Sequence, residues 1–200
     1  MEHLKPRKFT VAITGGIGSG KSYVCRLLEK RGIEVFDCDA SAKRLMRGNE
    51  RLKNAIMQLV GQEAYAGGVL QKHVLAEFLL KSEENKQALN DIVHPEVARD
   101  FEQSGCSWLE SAILFDSRFN TRTHFDYVVC VSAPEETRIN RIMKRDGITS
   151  EEAAEWIHKQ LSQGDVEALS DAVIINDGNQ NLDIQIDFLL DRIEEIRQTK

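Results

Sequence analysis

Apolar positions along this chain alternate between strand-like runs and helical spacing. "KFTVAIT" (8–14) is a short β-rich run that stops at glycines, and "VCRLLEKRG" (24–32) follows with apolar residues at helical intervals and a closing Gly32. "IEVFD" (33–37) predicts a second strand. Residues 40–60 predict one helix, with Leu45, Leu52, Ile56, Leu59 and Val60 on one side. "GQEAYAGGVL" (61–70) is punctuated by glycine and predicts a loop at a boundary. Two helices are expected over 72–82 and 84–103, the second restarting or bending at Pro95, since His94 is pushed away from helical dihedrals. "SWLESAILF" (107–115) and "DYVVCVSA" (126–133) predict buried strands. A helix beginning near Pro134 follows, then one over 149–161 capped by Thr149 or Ser150. A last strand at 171–177 and an amphipathic helix over 180–197 close the chain.

Strands alternating with helices imply an α/β fold, a parallel sheet covered on both faces. The helical stretch between the second and third strands is too long for a simple crossover and reads as a substrate-binding insertion. The expected organisation is a single domain over 1–200. Its core spans about 8–40, 105–145 and 170–200, the insertion about 41–104, and a lid about 146–168.

Composition adds exclusions. The chain has 200 residues, 42% of them hydrophobic and 29% charged, which suits one globular core. A net charge of −6 argues against general affinity for nucleic-acid backbone. The N-terminal "MEHLKPRKFT" lacks the apolar core of a signal peptide, and no later run approaches the roughly 20 apolar residues of a membrane span. Cys25, Cys38, Cys106 and Cys130 are scattered and read as reduced, mostly buried side chains. A cytoplasmic protein without nucleic-acid or membrane partners is expected, as a monomer or weak homo-oligomer.

"GGIGSGKS" (15–22) changes the picture. It satisfies G-x-x-x-x-G-K-[ST] through Gly15, Gly20, Lys21 and Ser22, with a strand before it and a helix after it. Consecutive amides and a helix N-terminus would cradle phosphate; Lys21 would reach the β- and γ-phosphates, and Ser22 would take a Mg²⁺ position. A guanine-reading N-K-x-D is missing, because "NKQA" (85–88) lacks the aspartate, and "LSQGD" (161–165) only faintly resembles a transporter signature. Arg138, Arg141 and Arg145 lie three and four residues apart, so they share a helix face leading into the lid. Asp37 ends the second strand, and Asp39 stands just past it, opening the following helix. If that strand lies beside the first, they stand near the γ-phosphate, with Asp39 capping the next helix, accepting a proton, or ordering Mg²⁺ through water.

With these motifs in order, the chain resembles the dephospho-CoA kinase family from about Thr10 to the final helix. "ITGGIGSGKS", "FDCDASAK", "HPEV", "ESAILFD", "RIMKRDGITSEEA" and "DAVIINDG" each match a family segment. The resemblance implies a P-loop NTPase fold and ATP-dependent phosphorylation of the ribose 3′-hydroxyl of dephospho-CoA, with ATP and Mg²⁺. It implies ATP contacts from Gly16, Ile17, Gly18, Ser19, Gly20, Lys21, Ser22 and Tyr23, joined by Arg141, Asn176 and Gly178. It also implies that Asp39 is the base, with Lys21, Arg141 and Arg145 assisting transfer, and that Asp39, Lys72, His94 and Glu110 meet the acceptor. Ser22 would bind the metal directly, Asp39 and Glu110 through water. Four positions depart from the family: Glu110 for aspartate, Ala112 for proline, Trp156 for a lid arginine and Lys72 for arginine. The rival readings are a P-loop kinase of another small acceptor, such as a nucleoside or nucleotide, and a nucleotide-dependent regulatory switch.

Overall fold

The computed structural model describes residues 8–199. The charged stretch at 1–7 lies outside the described residues. Two compact units are present: residues 8–36 with 106–120 and 124–199 form one, and residues 37–105 with 121–123 form the other.

The first unit is built on five strands: β1 (Val11–Thr14), β2 (Val35–Asp37), β5 (Trp108–Glu110), β6 (Tyr127–Ser132) and β7 (Ala172–Ile175). Their order is β2-β5-β1-β6-β7, with β1 parallel to β5 and β6, and β6 parallel to β7. The parallel sheet flanked by helices expected from the alternation is therefore present. One neighbour relation differs. β5, not β2, lies beside β1, so the adjacency of first and second strands from which the position of Asp37 and Asp39 was argued does not hold.

Alternation along the strands sorts the two sheet faces. Val11, Ile13, Val129 and Val131 pack with Val24, Leu27 and Leu28 of α1 (Lys21–Glu29) and with Ile186, Leu189 and Ile193 of α9 (Leu182–Thr199). Cys130 and Ser132, one residue out of phase, instead meet Gln163 and Glu167 of α8 (Gln163–Ala168). Between them, α6 (Glu135–Asp146) and α7 (Ser150–His158) share a small core of Ile142, Ala153 and Ile157. Thr149 caps α7 in a reciprocal capping box with Glu152.

The second unit is helical, with α2 (Cys38–Gly48), α3 (Glu50–Val60), α4 (Lys72–Lys81) and α5 (Glu83–Ser104). The single helix expected over 40–60 is two, because the Asn49 side chain accepts the Leu52 amide and starts α3 afresh. The expected loop at 61–70 holds a small hairpin, β3 (Tyr65–Ala66) with β4 (Val69–Leu70), turning on Gly67 and Gly68. α5 runs through Pro95 without restarting. A proline inside a helix costs about 3 kcal/mol. Here the Ser82 cap and the buried residues Leu89, Val93, Val97 and Phe101 on both sides of Pro95 offset that cost. The strand expected over 107–115 is only Trp108–Glu110, since Ser111–Ser117 leave the sheet in turns.

Candidate active site

β1 ends at Thr14, and residues 15–20 turn back to start α1 at Lys21. Gly20 supplies no side-chain cap, and α1 has no acidic residue in its first turn. The Tyr23 and Val24 amides return to the Gly20 carbonyl at 2.9 and 3.2 Å, and with no side chain capping the turn the positive end of the helix favours an anion there. Gly20 has φ +93, and a Cβ there would fall 2.1 Å from Asn176 Nδ2. Only glycine fits.

Lys21 is buried, and its Nζ donates to the Gly15 and Gly16 carbonyls at 2.8 and 3.3 Å. Glu110, at the end of β5, stands 3.9 Å away. Burial pulls the lysine pKa below its usual value, partly opposed by Glu110. A cation held this way, without full solvation, is poised for a phosphate.

Arg141 bridges two elements. Its Nη1 donates to the Gly18 and Ser19 carbonyls at 3.3 and 3.1 Å, and its Nη2 to Asn176 O at 3.0 Å and Asn176 Oδ1 at 3.3 Å. Asn176 Nδ2 in turn donates to Ser19 O at 2.9 Å, and the Asn176 amide to Ser132 O at 2.7 Å. The residue after β7 is thereby locked to the phosphate loop. Gly178 follows in a left-handed turn with φ +89.

A model of the dephospho-CoA kinase family matches residues 9–181. The chain belongs to the dephospho-CoA kinase family. It is 37% identical over 183 residues to a dephospho-CoA kinase of Bacteroides fragilis, covering 88% of each chain. It is 38% identical over 178 residues to one of Porphyromonas gingivalis, covering 84% of this chain and 85% of the other. Among solved structures, Thermus thermophilus TT1252 superposes with a TM-score of 0.77 at 31% identity, over 94% of this chain and 98% of that one. Shikimate kinase from Acinetobacter baumannii shares the fold, with a TM-score of 0.53 at 16% identity over 96% of each chain.

The three arginines of this family member separate in the structure. Arg138 is buried beside the loop and Arg141 bonds to it, but Arg145 is exposed and paired with Asp146 at 2.7 Å. Each further turn of α6 advances about 5.4 Å along the axis, so a shared face does not bring all three to one point. Trp156 is 39% exposed on α7. Tyr23 is half exposed, with Arg26 stacked 5.6 Å from its ring centre.

The remaining residues singled out from the sequence belong to the helical unit. Asp37 caps α2 by accepting the Ala40 amide at 2.9 Å, so the cap role considered for Asp39 falls to its neighbour. Asp39 is exposed, with Lys43 at 2.9 Å one helical turn on. Such an exposed pair is worth at most about 1 kcal/mol and yields readily to a better partner. Lys72 is exposed at the start of α4, and His94 is half-buried in α5.

Gln160 went unnoticed in the sequence, and Arg138 was read as a lid cation and not as a partner of the loop. Gln160 Oε1 accepts the Ile17 amide at 2.7 Å, and Arg138 Nε donates to Ile17 O at 2.8 Å. A glutamine two residues past α7 carries no motif, and Arg138 looked like one more lid cation.

The donors present suit Mg²⁺. Among the described residues no cluster of three or more His, Cys, Asp or Glu could hold a metal. Mg²⁺ needs no such cage, because it keeps waters and combines one or two hard protein oxygens with substrate phosphates. Ser22 is exposed in the first turn of α1 and Glu110 ends β5, both oxygen donors of that kind.

Proposed function

We propose that the protein transfers the γ-phosphoryl group of ATP to the ribose 3′-hydroxyl of dephospho-CoA, giving coenzyme A and ADP. The observation that carries this reading is the family match over residues 9–181, which takes in the whole phosphate loop. Lys21 would leave the Gly15 and Gly16 carbonyls for the β- and γ-oxygens. Arg141 and Asn176 would hold the adenine side together with Gly178, while residues 16–23 wrap the phosphates. Ser22 would hold Mg²⁺ directly and Glu110 through water; the ion supplies charge neutralisation of the phosphates. Arg145 would exchange its exposed pairing with Asp146 for the transferring group as the lid closes.

Asp39 supplies the base. Asp37 already serves the helix end, and the exposed pairing of Asp39 with Lys43 is weak enough for its carboxylate to turn to the acceptor hydroxyl or a water on Mg²⁺. Lys72 and His94 would meet other parts of the acceptor. The protein acts in the cytoplasm on small molecules as a monomer or weak homo-oligomer; no helix among the described residues is long and apolar enough to cross a membrane. The test is Asp39→Asn. Turnover should fall by about 10²–10⁴ while an ATP analogue still binds. Near-normal turnover would remove Asp39 from the role.

A further inference from the structure

Arg138 is 3% exposed, which is unusual for a residue first read as a lid cation. One of its three guanidinium nitrogens bonds to the phosphate loop. Nε donates to Ile17 O at 2.8 Å and Nη1 to Gln163 Oε1 at 3.2 Å. Nη2 is buried without a hydrogen-bond partner among the described residues and lies against Gly16, where an added Cβ would sit 2.2 Å from it. Opposite Arg138, Gln160 takes the Ile17 amide at 2.7 Å. The Ile17 side chain packs against the core shared by α6 and α7, with Ile142, Ala153 and Ile157. One residue at the loop tip is therefore held at its amide, its carbonyl and its side chain, all by the elements that carry the lid.

We propose that Arg138 and Gln160 are positioning residues that clamp Ile17 and so tie the shape of the phosphate loop to the lid helices. The inference rests on the reading of residues 15–22 as the nucleotide cradle and adds to it a mechanical link. The loop closing on phosphates and the lid closing over them become one motion, because neither can shift without dragging Ile17. Arg138 also has a part to play when Lys21 turns to the nucleotide. The Gly16 carbonyl then loses the lysine, and Arg138 Nη2, buried beside that residue, is the donor at hand.

The test compares Arg138→Met, Arg138→Lys and Gln160→Met in the full chain. A cavity of about 470 Å³ borders both side chains, so replacing either one by methionine does not empty a tightly packed core. Two measurements are made: hydrogen exchange of the 15–22 amides without nucleotide, and KM for ATP and for dephospho-CoA separately. Faster loop exchange is expected in both Met variants. KM for ATP should rise at least tenfold, with KM for dephospho-CoA within twofold. Arg138→Lys should fall between wild type and Arg138→Met, since one ammonium can reach Ile17 O but cannot also serve Gln163. The double Met variant should raise KM for ATP by less than the product of the single effects, because both act through one residue. Unchanged loop exchange would overturn the clamp, as would a lower kcat with both KM values unmoved. If wild-type loop exchange does not slow when an ATP analogue is added, the cradle reading itself fails, a result separate from failure of the clamp. Should Arg138→Met not fold, Gln160→Met, at a half-buried position, decides alone.

Discussion

Arg141→Met removes the bridge between α6, the phosphate loop and the residue after β7. Four contacts go, but two of them, at 3.3 Å, are long. The two to Ser19 O and Asn176 O, at 3.1 and 3.0 Å, are of ordinary hydrogen-bond length. A hydrogen bond from a charged donor is worth about 1.5–3 kcal/mol. Arg141 is half-buried, so water replaces part of each, and about 1 kcal/mol apiece is the better figure. The sum is about 2 kcal/mol. The nucleotide-free protein should then melt roughly 4–8 °C lower, for a chain of this size. Without the bridge Asn176 is held only by its own bonds, and ATP must re-form the adenine side on binding. If the same 2 kcal/mol reappears there, KM for ATP rises about 30-fold. Differential scanning calorimetry and initial rates against ATP measure the two effects, and Arg141→Lys should give intermediate values in both. A lower melting temperature with KM for ATP inside twofold of wild type would refute the reasoning: Arg141 would then brace the fold without shaping the site.

Two other substitutions probe neighbouring parts of the account. Gly20→Ala places a methyl group 2.1 Å from Asn176 Nδ2 and forces a left-handed φ on an L residue, worth about 1–2 kcal/mol before any overlap. Calorimetric titration with an ATP analogue should show affinity lost by at least tenfold, and an unchanged affinity would dissociate Asn176 from the site. Cys130 tests the other sheet face by pH. Burial, then Glu167, pushes its thiol up to about 11, so the folded state keeps a proton that the unfolded chain releases near 9. Its stabilising contribution is whole below pH 9 and is lost as the pH climbs towards 11, about 2–3 kcal/mol in total. Denaturation of Cys130→Ala across that window should show a correspondingly shallower loss than wild type; parallel curves would contradict the assignment.

Much of this architecture was readable because local signals agreed with one another. The phosphate loop needed glycines, a strand before and a helix after, and all three stood in "FTVAITGGIGSGKSYV". The Thr149–Glu152 capping box was likewise written locally. What escaped was decided by tertiary partners. Asn49 looked like an interior helix residue until its side chain proved to start a second helix. Pro95 predicted a restart or a bend, and the buried residues on both sides of it hold α5 as one helix without a restart. Spacing placed Arg138, Arg141 and Arg145 on one face, but only the position of the loop along the α6 axis decides which of them reach it. Sheet order escaped for the same reason: nothing in "IEVFD" says that β5 will insert beside β1. Gln160 shows the limit most clearly, as an unremarkable polar residue that becomes a partner of the loop once α7 has packed.

The most direct measurement is product analysis of the purified protein with ATP, Mg²⁺ and either dephospho-CoA or adenosine as acceptor. ADP should accumulate in step with coenzyme A, the new phosphate should appear at the ribose 3′ position by ³¹P NMR, and adenosine should remain unmodified. Transfer to adenosine with dephospho-CoA untouched, or ATP hydrolysis with no phosphorylated acceptor, would contradict the assignment of this site.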